Sequence, residues 1–224
     1  MAAFDPSPAN IDAHTVRQTL PNGMQLALLP KPTRGGAVNG TLILRIGNLE
    51  ALRGKGSVGS LTGAMLDRGA GAFTRQQIAD RFEALKANVS ISGSDERVTV
   101  RFDTRREYLP DLLALLRTVL RLPTFPGNEL ETLRASSIAG IESQRKQPNA
   151  LAPNALGRYG NPYPAGDPRY TPTFDESVAE LRSVSATDLR DFHGRFYGAE
   201  HAQLAIVGDF DANDAVRQAE FLFG

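Results

Sequence analysis

The chain contains no cysteine in 224 residues. That single absence removes disulfides, thiolate metal sites and a cysteine nucleophile. Histidine is almost as scarce. His14, His193 and His201 are the whole supply, so histidine-based chemistry has few places to reside. Neither sign of charge is in excess, with Lys+Arg and Asp+Glu at 25 each. A balanced chain has no overall pull toward nucleic acid, an anionic membrane or an acidic substrate. No apolar run approaches the roughly 18 residues that a membrane span needs. The opening Met1-Ala2-Ala3-Phe4-Asp5-Pro6-Ser7-Pro8 lacks the basic start and apolar stretch of a signal peptide and reads as a linker.

What is present is the composition of a globular domain: 41% hydrophobic and 22% charged residues. Residues 1–13, rich in Pro and Ala without a period, are expected to be a tail, and residues 14–224 a single domain. Apolar runs at 16–20 and 24–29 flank Pro21-Asn22-Gly23, and Asn-Gly between apolar runs predicts a hairpin. Residues 37–46 alternate as a third strand, with Leu42, Leu44 and Ile46 on one face. A helix is expected over 57–68, closed by Gly69. Thr74-Arg75-Gln76-Gln77 is a capping box ahead of an apolar stripe of Ile78, Phe82 and Leu85. Residues 88–92 and 97–103 predict a second hairpin with one covered face. Leucine-rich 105–122 and then 127–146 predict two long helices, each ended before a proline. After the Pro- and Gly-rich stretch 161–172, helices follow at 177–183 and, from the capping box at Ser185, to Phe196. A strand over 202–207 and a helix over 212–222 close the chain. Strand pairs alternating with helix pairs predict an α+β fold, a mainly antiparallel sheet with helices packed on one side.

Three patterns invite a chemical reading. Gly54-Lys55-Gly56-Ser57-Val58-Gly59 matches G-x-G-x-x-G, but the run 48–53 separates it from its strand and the following helix leads to another helix. A dinucleotide turn needs the strand end, the helix N-terminus and a parallel strand beyond, so a flexible loop leading into a helix is the plainer reading. His193 and His201, with Asp188, Asp191 and Glu200 nearby, are the metal-ligand candidates. Zinc needs three converging ligands with second-shell support, and nothing in the spacing brings these two together; an inter-element hydrogen bond suits them better. Glu129, Glu131 and Glu142, interleaved with Arg134, Arg145 and Lys146, read as the solvated face of a long helix.

The fourth pattern is a frame with its working residues missing. The run Gly59-Ser60-Leu61-Thr62-Gly63-Ala64-Met65-Leu66-Asp67-Arg68-Gly69-Ala70 has the outline of an inverted zinc-peptidase helix, H-x-x-E-H-M-x-x-x-G. Ser60, Gly63 and Ala64 stand where the frame needs His, Glu and His. None of the three holds zinc or activates water. Being small, they leave a helix face able to pack closely, where ionisable ligands without metal would be costly to bury.

The run from about Leu20 onward resembles the insulinase/pitrilysin family of zinc peptidases, which includes mitochondrial processing peptidase. Six cues come in the family's order. Leu20-Pro21-Asn22-Gly23-Met24 is similar to its opening hairpin, Leu44-Arg45-Ile46-Gly47 to its R-x-G strand, and Met65-Leu66-Asp67-Arg68-Gly69-Ala70 to the tail of its metal helix. Asn161-Pro162-Tyr163 with Gly166, Phe196-Tyr197, and Val207-Gly208-Asp209-Phe210-Asp211 resemble its later segments. In the family two histidines bind zinc, a glutamate between them activates water, and a glutamate on a later helix completes the site. That last position falls near Ala139-Gly140 here, with Glu142 out of register.

The resemblance therefore implies a member of a metalloendopeptidase family that is not catalytic by itself. It implies no cofactor in this chain, zinc in an active partner half in the same or another chain, and a peptide substrate in a chamber the halves share. The chain is expected to be the first domain of an inactive half, a piece of a longer chain. Two other readings stay open: a scaffold subunit without a peptidase partner, and an enzyme with a metal re-sited at His193 and His201. The family's bacterial two-half members point toward the periplasm or envelope, with the cytoplasm still open.

Overall fold

The computed structural model describes residues 4–94 and 96–223. Helix α1 (Pro8–His14) occupies part of the stretch expected to be a tail. It buries no residue, so it has no apolar period by which to announce itself, and Pro8 starts it without losing a hydrogen bond. Strands β1 (Val16–Thr19) and β2 (Gln25–Pro30) form the hairpin predicted around Asn22-Gly23. Gly23 takes φ +92°, and the Met24 N–H donates to Asn22 Oδ1 at 3.1 Å. Strand β3 (Ala37–Arg45) leads through a loop to α2 (Gly56–Met65), which tightens into a 3₁₀ turn before Gly69.

A two-residue hairpin, β4 (Gly69–Ala70) and β5 (Phe73–Thr74), delivers the chain to α3 (Arg75–Ala84). Its capping box closes in both directions: the Gln77 N–H donates to Thr74 Oγ1 at 3.3 Å, and the Thr74 N–H donates to Gln77 Oε1 at 2.9 Å. Then come β6 (Asn88–Gly93), β7 (Arg97–Arg105), α4 (Leu109–Arg121), α5 (Gly127–Gln144) and α6 (Pro148–Arg158). The chain ends with α7 (Phe174–Ser183), α8 (Ala186–Phe196), β8 (Ala202–Gly208) and α9 (Ala212–Phe223).

The main sheet runs β1-β2-β8-β3-β7-β6. Every neighbouring pair is antiparallel except β2 with β8, which is parallel. Period-2 alternation sends Leu26, Leu28, Leu42, Val100, Leu204 and Ile206 to one face, where α4, α9 and Ile78 of α3 cover them. Leu112, Leu113, Leu116 and Leu120 of α4 are at most 3% exposed. Each such leucine contributes about 1.5–3 kcal/mol, which makes α4 the principal anchor of the helical layer. The fold is thus α+β, with a mainly antiparallel sheet and helices on one side.

Beyond the sheet, α2 sits in a second apolar cluster. Leu61 and Met65 pack there with Phe125, Leu130, Leu181 and Leu189. Among the described residues no helix is long and apolar enough to cross a membrane.

Candidate functional site

The three residues at the vacant motif positions lie in consecutive turns of α2. Ser60 is exposed, Gly63 buried and Ala64 half-buried. The buried one explains itself. A Cβ built on Gly63 would stand 2.4 Å from the Gly93 Cα in β6, and one built on Gly93 would stand 2.5 Å from the Gly63 Cα. Helix and strand meet backbone to backbone, a closeness that only glycine on both sides permits. The position that would carry the water-activating glutamate therefore has no room for a side chain. Ser60 and Ala64 supply no imidazole, so the residues present do not fit a zinc ion. On α5, Ala139 and Gly140 are both exposed, and a Cβ at Gly140 would meet open space. Glu142 is engaged with Arg145 at 3.3 Å.

A cleft of about 300 Å³ borders this face of α2, with Ser57, Ser60, Tyr170 and Glu180 in its lining. The Ser57 hydroxyl donates to Glu180 Oε2 at 2.7 Å, tying the start of α2 to α7. The Asn161-Pro162-Tyr163 segment is held by its own side chains. Asn161 Oδ1 accepts from the Tyr163 N–H at 3.0 Å, and its amide donates to the Arg169 carbonyl at 3.1 Å. Arg169 forks onto Asp167 at 2.9 and 3.0 Å and lies 3.8 Å over the Tyr163 ring. That pairing lowers the Asp167 carboxyl to about 2.

The Gly54 N–H donates to the Gly166 carbonyl at 2.6 Å, so the glycine-rich loop is tethered to the same segment. Strand β3, which precedes that loop, is antiparallel to both of its neighbours. The parallel arrangement behind a dinucleotide turn is absent there.

His193 lies half-buried on α8 with its Nε2 2.7 Å from the Leu120 carbonyl, at the C-terminal turn of α4. Its ring stacks on Tyr197 at 4.6 Å and meets Phe125 edge-on at 5.8 Å. Burial pushes its pKa below the ordinary value. His201 stands exposed in the turn before β8, and His14 Nδ1 lies 2.8 Å from the Asn10 carbonyl on α1. Among the described residues no group of three or more His, Cys, Asp or Glu is placed to hold a metal ion.

The acids of α5 are spent on ion pairs. Glu129 faces Arg68 at 3.2 Å and Arg75 at 3.5 Å, joining α5 to the end of the α2 segment, and Glu131 pairs with Arg134. Sequence reasoning missed Asp67, beside this group, whose carboxyl burial pushes up. It also missed Tyr197, whose buried hydroxyl has no partner among the described residues. Both lie in segments that resemble the family's, but the burial that makes each unusual comes from distant elements and is not written in those segments.

The face of the sheet away from α4 and α9 is open. Two cavities on it, of about 570 and 500 Å³, share Ala27, Thr41 and Ala205 in their linings.

The fold is similar to that of solved M16-type peptidase domains, and residues 60, 63 and 64 supply no metal ligand in it. Residues 183–224 match the family model described as the Peptidase M16 inactive domain. Over 132 residues the chain is 26% identical to mitochondrial-processing peptidase subunit alpha of Solanum tuberosum, covering 59% of this chain and 25% of that protein. Among solved structures, it is similar to the peptidase M16 inactive domain from Pseudomonas fluorescens, with a TM-score of 0.80 and 23% identity over 93% of this chain and 50% of that one. It is also similar to the periplasmic protease PqqL from Escherichia coli, with a TM-score of 0.74 and 17% identity over 93% and 23%. For pitrilysin the TM-score is 0.73, with 19% identity over 94% and 23%. The chain thus spans a quarter of the curated relative's length and half or less of these solved chains. The resemblance to the insulinase/pitrilysin peptidases is carried at once by a family model, a curated relative and a shared fold.

Proposed function

We propose that the chain is a non-catalytic domain of an insulinase-like zinc peptidase, serving as chamber wall and interface for an active half in the same chain or another. The observation that carries this reading is the contact of Gly63 with Gly93. The place of the catalytic glutamate is taken up by packing between α2 and β6, so the helix has become structural. The match of residues 183–224 to a model described as an inactive domain supports it. So does the likeness to a first half of the periplasmic protease PqqL, at a TM-score of 0.74 over 94% of this chain. The chain spans half or less of these solved chains, which supports reading it as one domain of such a half, and we take it as the first. Zinc and the activated water then belong to the active half, and the peptide lies between the two.

The test is to co-express the chain with an active half of the family from the same organism. Gel filtration and cleavage of a fluorogenic peptide are then followed. Co-elution, with cleavage by the pair well above that of the active half alone, is expected. Separate elution with unchanged cleavage would favour the scaffold reading instead.

A further inference from the structure

The open face of the sheet carries more arginine than acid although the chain as a whole is neutral, with Arg17, Arg45, Arg97, Arg101 and Arg105 beside Asp103. Alternation along β7 puts Arg97, Arg101 and Arg105 on that face, all exposed. Arg45 of β3 stands directly opposite Arg97, a like-charge pairing that works against the sheet. Among the described residues, none of Arg45, Arg97, Arg101 and Arg105 makes a salt bridge. The acid on the same stretch of β7, Asp103, accepts from the Asn88 amide at 2.9 Å.

Arg101 stands in a straight row across all six strands of the sheet, between Thr41 and Ser90 of the edge strand β6. Arg17 faces Ala27, Ala27 faces Ala205, Ala205 faces Thr41, and Thr41 faces Arg101. The three residues between Arg17 and Arg101 are small, while the flanking rows carry Leu29, Val207 and Asn39 on one side and Gln25, Gln203 and Ile43 on the other. The small residues are the floor of a trough, and the two cavities of about 570 and 500 Å³ meet over that floor. Four strand spacings of about 4.8 Å separate the Arg17 and Arg101 backbones, roughly 19 Å, which five or six extended residues cover. Arg17 is paired with Asp12 at 2.8 Å, but both side chains are more than half exposed, and so open a pair is readily exchanged for a ligand carboxylate.

We propose that this trough binds an extended acidic peptide segment, its backbone over Ala27 and Ala205 and a carboxylate forked by Arg101. A planar guanidinium takes a carboxylate through two parallel hydrogen bonds, and a floor of alanines admits a backbone without displacing side chains. A row of roughly 19 Å suits a short polypeptide segment better than a nucleic acid, whose phosphates need a longer cationic track. The proposal deepens the chamber-wall reading and rests on it for the ligand's source, a peptide enclosed by the two halves.

Fluorescence anisotropy on the 224-residue chain tests it. The probes are labelled peptides of about 12 residues, roughly 40 Å extended, one Glu-rich, one Lys-rich and one neutral, together with oligothymidylate of similar length. The Glu-rich peptide is expected to bind about 10-fold tighter than the other two peptides, and more weakly as salt rises. Arg101→Glu should lose about 10-fold of that affinity and Arg101→Gln less, while Arg182→Glu, on the exposed side of α7, should change nothing. Equal binding of acidic and basic peptides, normal binding by Arg101→Glu, or oligothymidylate outcompeting the Glu-rich peptide would each overturn it. Pairing with an active half is scored separately. A chain that co-elutes with that half yet shows no acidic preference overturns the trough alone. A chain with the preference but no partner overturns the chamber-wall reading alone.

Discussion

Gly63 of α2 and Gly93 of β6 touch through their backbones, and neither position has space for a Cβ. In the proposed function this contact takes the motif position of the general base.

The first prediction follows from the sign of a small substitution. In a helix, Gly→Ala ordinarily gains up to about 1 kcal/mol from backbone entropy. At Gly63 the new methyl would meet backbone at 2.4 Å, which cannot yield as a flexible side chain does. Overpacking costs about 1–3 kcal/mol, so Gly63→Ala should lower Tm by several degrees. Gly140→Ala on α5, where nothing lies within 4 Å, should raise it slightly. Thermal melts of the two variants check this, and equal shifts would remove the contact from the account.

Restoring the motif should fail. The triple change Ser60→His, Gly63→Glu and Ala64→His supplies the missing donors but places the longest new side chain against β6. The third ligand position, at Ala139 and Gly140, stays empty. Isothermal titration with zinc is expected to show no tight one-to-one site, and the variant should melt below the parent.

Acid should destabilise the domain partly through His193. Its folded pKa lies below the ordinary 6.5 because burial disfavours the charged ring. The unfolded chain therefore takes up the proton first, and stability is complete above about pH 6.5 and falls as pH drops below it. His193→Gln keeps a donor for the Leu120 carbonyl but cannot titrate. Its Tm should decline less than the parent's between about pH 7 and 5. Parallel curves would assign the acid sensitivity elsewhere.

Asp167 acts at lower pH and more locally. Its carboxyl, held at about 2 by Arg169 against an ordinary 3.8, stabilises the folded segment above about pH 3.8 and loses that effect as pH falls toward 2. Asp167→Asn should loosen the segment around Asn161–Tyr163 without unfolding the sheet. Hydrogen exchange is the readout, with faster exchange expected at the Tyr163, Arg169 and Tyr170 amides and none of that change in β3 or β7.

Much of the fold was legible because its signals are local. The Asn22-Gly23 turn and the capping boxes at Thr74 and Ser185 each rest on side chains within four residues, and the structure forms all three. α7 begins at Phe174, earlier than the stretch from 177 that the sequence predicts. Its own capping box, Thr173 with Glu176, lies among the prolines that hid it. The parallel pairing of β2 with β8 joins residues from near opposite ends of the chain, and no spacing rule reaches that distance.

The site divides in the same way. The small residues at 60, 63 and 64 announced a face able to pack closely, but not that Gly93 would meet it. The arginine row on the open face exists only once strand register is known, since Arg17, Arg101 and Ala205 have no relation along the chain.

The proposed function rests on the packing of Gly63 against Gly93 at the motif position that the resemblance assigns to the catalytic glutamate. Elemental analysis for zinc on the purified chain, with a fluorogenic peptide assay on the same sample, tests it most directly. The account predicts zinc far below one per chain and no cleavage until an active half is added. One tightly held zinc per chain with cleavage by the chain alone would contradict it, and His193 and His201 would then be the first residues to replace.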